Sequence, residues 1–86
     1  MSNRTWDQFM SVEIQAKLKR HLWFGGSWAD GPDYNDMSPT GLARSKKVLE
    51  DYQASEEGRL SLGSRPIWAR ISIRLIDEVF AWWGEY

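Results

Sequence analysis

PIWARISIRLIDEVFAWW, residues 66–83, is the stretch whose reading decides the fold class. Over a short window it alternates: Ala69, Ile71, Ile73 and Leu75 are apolar, while Arg70, Ser72 and Arg74 are polar. Period-two alternation rich in β-branched isoleucine is the mark of a strand. Over a longer window Arg70, Arg74, Asp77, Glu78 and Glu85 recur at spacings that trace one face of a helix. Arg74 and Glu78 form an i,i+4 pair of opposite charge, and Pro66 suits the first turn of a helix. The longer window predicts a helix from about Pro66 to Trp83, with a strand over 67–75 as the alternative. Its apolar surface is broad: Ile67, Trp68, Ile71, Ile73, Leu75, Ile76, Val79, Phe80, Trp82 and Trp83.

Working back along the chain, Ser38-Pro39 is the sharpest local signal, an N-cap serine followed by proline at the first helical position. A helix is expected from there to about Glu57, with Gly58 just past its end. Leu42, Val48, Leu49 and Tyr52 give it a narrow apolar edge, and Gly41 weakens its first turn. An earlier helix is expected from about Trp6 to Phe24. Thr5 and Gln8 fit a capping box, and Trp6, Met10, Ile14, Leu18 and Leu22 fall four apart. Gly25-Gly26 ends it. Residues 25–37 read as a long acidic loop, and Leu60 and Leu62 of the later connection are expected to tuck against the core.

The fold expected is therefore all-α, a compact three-helix domain over residues 1–86 with a long acidic loop between helices 1 and 2. If residues 67–75 are a strand, the class becomes α+β. The core is assigned to Trp6, Met10, Ile14, Leu18, Leu49, Tyr52, Trp68, Ile71, Leu75, Val79 and Phe80.

Composition bounds the function. Eighty-six residues, 42% of them hydrophobic, suffice for one core. With no cysteine there is no disulfide framework, zinc ribbon or thiol nucleophile. No charged segment followed by an apolar run opens the chain, so no signal peptide is expected, and the expected location is cytoplasmic. Net charge is −1, which argues against a dedicated nucleic-acid binder. The charge is uneven, however. Arg4, Lys17, Lys19 and Arg20 make the first segment basic, and Asp30, Asp33 and Asp36 make the loop acidic.

No motif marks an enzyme. His21 is the one histidine, and its place near a helix C-terminus is explained by the helix dipole. No serine stands in a nucleophile-elbow context. Asp30, Asp33, Asn35 and Asp36 do not follow the EF-hand spacing, and turn chemistry accounts for them. Gly25-Gly26-Ser27 lacks the remainder of a phosphate loop. No catalytic residue, metal or cofactor is assigned.

Two features point to a protein partner. The loop offers Trp28 and Tyr34 among Asp30, Asp33 and Asp36, and the C-terminal helix offers Trp82 and Trp83. Tryptophan and tyrosine are enriched at binding hot spots, and six tryptophans are many for this length. The leading expectation is a small adaptor or inhibitor that occupies a surface of another protein. Short chains of this type are common in phages and mobile elements, where they block a host enzyme or defence complex. The alternative is a nucleic-acid-associated regulator using Lys17, Arg20, Arg70 and Arg74. A third reading is a structural homodimer pairing the exposed part of the last helix.

Overall fold

A computed structural model describes residues 5–24, 36–60 and 62–86. Regular structure among them is entirely helical: α1 (Trp6–Phe9), α2 (Val12–Phe24), α3 (Pro39–Ala54), α4 (Glu56–Leu60) and α5 (Arg65–Glu85). The protein is all-α. The strand alternative for 67–75 is excluded, because those residues lie inside the continuous 21-residue helix α5. Among the described residues there are three long helices and two short ones, where the sequence suggested three. Residues 25–35, where most of the acidic loop is expected, lie outside the described residues.

Hydroxyl caps explain both extra helices. Thr5 Oγ1 accepts from the backbone N–H of Gln8, which starts α1. After Phe9 the chain leaves helical geometry at Met10, with φ −74° and ψ 77°. Ser11 then caps a new helix, its Oγ accepting from the N–H of Ile14 at 3.2 Å. The Met10 carbonyl left free by the break accepts from Gln15 Nε2 at 2.9 Å. Through this break Phe9 joins Met10 in the core, while Val12 stays 82% exposed.

The second break is at Ser55, in extended geometry with φ −73° and ψ 159°. Its hydroxyl donates to the Tyr52 carbonyl and accepts from the Gly58 N–H. Gly58 thus lies inside α4, not past the end of α3 as the sequence suggests. A Cβ there would collide with the Tyr52 carbonyl oxygen.

Helix α3 starts where Ser38-Pro39 places it, Ser38 Oγ accepting from the Gly41 N–H at 3.0 Å. Gly41 has a packing reason to be glycine: a Cβ would collide with the Asp36 side chain and carbonyl. Gly41, Leu42, Ser45, Leu49 and Tyr52 form the buried stripe of α3.

Helix α5 is the central element, and α2 and α3 both pack on it. Its inner side brings Ala69, Ser72, Leu75, Ile76 and Val79 into the interior. Leu18 of α2 and Leu42 and Leu49 of α3 join them in full burial, each side chain worth about 1.5–3 kcal/mol in transfer from water. Lys46 Nζ reaches Asp77 Oδ1 at 2.6 Å and links α3 to α5. Trp6 Nε1 donates to the Met37 carbonyl at 2.8 Å and ties α1 to the lead-in of α3. The radius of gyration, 13.6 Å, exceeds the roughly 12 Å of a compact chain of this length, so the molecule is elongated.

Of the expected core, Met10, Leu18, Leu49, Tyr52, Leu75 and Val79 are buried, and Trp6, Ile14 and Phe80 pack against them. Trp68 and Ile71 are only half-buried. Leu60 and Leu62 are exposed and do not tuck inward. Among the described residues, no helix is long and apolar enough to cross a membrane.

Candidate docking face on the last helix

A helix that buries one face presents the other to solvent, and on α5 the outward face has a pattern of its own. Ile67, Arg70, Ile71 and Arg74 follow at i, i+3, i+4 and i+7, so they share one side. They line a groove of ≈ 460 Å³. Ile67 is 49% exposed, and Arg70 and Arg74 reach into solvent. Neither arginine makes an ion pair with a described residue. The expected Arg74–Glu78 pair is absent from the bridges formed there, which are Asp36–Arg44, Lys46–Asp77 and Lys47–Asp51.

The same face continues toward the C-terminus through Glu78, Ala81, Trp82 and Glu85, all exposed. Glu78 and Glu85 also make no ion pair with a described residue. The outer face is therefore divided, with two arginines and two isoleucines in its first half and two glutamates and a tryptophan in its second. No basic residue occupies the last turn, although the helix dipole favours cations there and disfavours Glu85.

Trp82 and Trp83, adjacent candidates for an interface, are held differently. The Trp83 ring lies 5.2 Å from that of Trp6, 5.3 Å from Phe9 and 6.0 Å from Tyr86, centroid to centroid. Phe80 joins the group through Trp6 at 5.9 Å. These spacings are those of interacting aromatic pairs, and they fasten α1 to the end of α5. Trp82 faces outward at 36% exposure, with Lys17 Nζ 5.8 Å from its ring centroid, within cation–π range.

The other expected site residues are scattered. Arg20 is exposed on α2, and Lys17 is engaged with Trp82, so only Arg70 and Arg74 of the basic candidates share a groove. Asp36 has an internal role before α3. It accepts from the Ser38 hydroxyl at 2.6 Å and the Ser38 N–H at 3.2 Å, with Arg44 at 3.9 Å. The Ser38 hydroxyl, then its N–H, hold the Asp36 carboxyl below the usual aspartate range, and Arg44 adds to this. Trp28, Asp30, Asp33, Tyr34 and Asn35, and the side chain of His21, lie outside the described residues. No cluster of three or more potential metal ligands occurs among the described residues.

Sequence reasoning placed Ile71 in the core and gave Ile67 no binding role. Their spacing with Arg70 and Arg74 was the signal that could have identified the groove. No protein-family model matches the chain, and neither does any curated protein or solved structure.

Proposed function

We propose that the chain is a small protein-binding module, an adaptor or inhibitor, that docks through the outer face of α5. The observation that carries this reading is the groove of Ile67, Arg70, Ile71 and Arg74. Apolar walls beside guanidinium groups that make no ion pair with a described residue suit a partner surface that is itself part apolar and part acidic. Arginine is favoured at such contacts because its planar fork binds carboxylates bidentately. Glu78 and Glu85 on the same face would repel a phosphate backbone, which favours protein over nucleic acid. The setting proposed with this reading is cytoplasmic, since a chain without cysteine suits a reducing compartment.

The test is affinity capture from the native host's lysate, with and without nuclease, using the wild type and the Arg70→Glu/Arg74→Glu variant. A discrete protein that survives nuclease and is lost with the variant is the expected outcome. Equal capture by both chains would remove the groove as the docking face. Material that disappears with nuclease would put the nucleic-acid regulator first.

A further inference from the structure

We infer that the groove on α5 receives the acidic half of α5 from a second copy of this chain, the two helices lying antiparallel. The inference rests on the docking reading above and names the partner of that same face. Ile67, Ile71, Arg74, Glu78, Ala81 and Glu85 recur at spacings of four and three in alternation, which is the seam spacing of paired helices. All six lie in one continuous helix.

Two such seams can meet in parallel or antiparallel. In parallel, arginine would face arginine and glutamate would face glutamate. In antiparallel, a two-fold axis between Arg74 and Glu78 sets Arg74 of each copy opposite Glu78 of the other. Arg70 then lies within one turn of Glu85 of the second copy, and Ile71 faces its Ala81 and Trp82. Two cations and two carboxylates that make no ion pair with a described residue are brought together, and Ile71 meets Ala81 and Trp82, while Ile67 falls beside Glu85. The surface is complementary to itself, as an isologous interface must be. Asp77 is not needed, because Lys46 already holds it.

The unfavourable charge at the end of α5 fits this arrangement. Glu85 opposes its own helix dipole, with no basic residue in the last turn to offset it. Arg70 of a second copy brings a cation to that end. A single helix pair buries an area at the small end of specific interfaces, so the association is expected in the micromolar range.

The experiment is sedimentation equilibrium of the full chain over a concentration series at low salt. It uses the wild type, Arg74→Glu, and Arg74→Glu combined with Glu78→Arg. The wild type should rise from monomer toward dimer mass. Arg74→Glu sets like charges together and should weaken the dimer by roughly tenfold or more. The double variant restores opposite charges in both symmetric pairs and should recover most of that loss. A wild type that stays monomeric at the highest concentration overturns the inference, as does a double variant no better than Arg74→Glu. A monomeric wild type whose captured protein is still lost with Arg70→Glu/Arg74→Glu overturns self-pairing and leaves the docking reading standing.

Discussion

The inner and outer faces of α5 both carry large apolar side chains and do different work. The inner face closes on α2 and α3 through Ala69, Ser72, Leu75, Ile76 and Val79. At its end Trp83 is locked among Trp6, Phe9 and Tyr86. The outer face carries Ile67, Ile71 and Trp82 beside arginines and glutamates that find no ion partner among the described residues. Apolar area stabilises a fold only where the chain itself covers it. Ile67 and Trp82 keep much of theirs in water, and that area is available to another molecule.

The adjacent tryptophans give the largest expected contrast. Trp83→Ala removes four-ring packing at the α1–α5 junction and should destabilise the chain by about 2–3 kcal/mol. Trp82→Ala should cost less than about 1 kcal/mol, as for other surface positions. Urea denaturation of both variants reads the difference directly, and equal losses would erase the division between the faces.

Gly41→Ala probes the inner side from α3 and has opposed terms. Alanine should gain about 1 kcal/mol in helix propensity. Its methyl collides with the Asp36 side chain and carbonyl, and overpacking costs about 1–3 kcal/mol. Because the carbonyl is backbone and cannot swing aside, the net expected is destabilisation of roughly 1 kcal/mol. A rise in melting temperature would show that residues 36–38 yield without cost.

The smallest effect concerns pH. The Asp36 carboxyl is held below its ordinary value by Ser38, so its contribution is complete above the unfolded-state pKa. It is lost as pH falls through the lower folded-state value. The stability difference between wild type and Asp36→Asn should therefore narrow on acidification, in thermal melts at stepped pH. A difference that widens in acid would contradict the assigned hydrogen bonds.

The sequence showed some of this plainly and hid the rest for local reasons. Ser38-Pro39 announced α3 because cap and proline act within one turn. Helix α5 was legible because its polar positions repeat over about four turns, from Arg70 to Glu85, outlasting a seven-residue alternation. The break at Met10–Ser11 was hidden because Trp6, Met10, Ile14 and Leu18 keep helical spacing across it. The usable signal was Ser11 followed by Glu13, a cap and an acid in the first turn. Gly58 drew attention from Ser55, whose hydroxyl ends one helix and begins the next. For the site, Arg70 and Arg74 were legible as a pair. Ile67 and Ile71 beside them were not, since an apolar residue on a helix reads first as core until neighbouring helices are placed.

The most direct measurement is the amide NMR spectrum of the labelled wild-type chain across a dilution series. If the inner face holds the fold and the outer face docks, concentration-dependent shifts should gather at residues 67, 70, 71, 74, 78 and 82. The amides of α3 should stay fixed. Shifts that map to α3 instead would contradict this division of α5, and shifts that do not change with concentration would contradict self-pairing through its outer face.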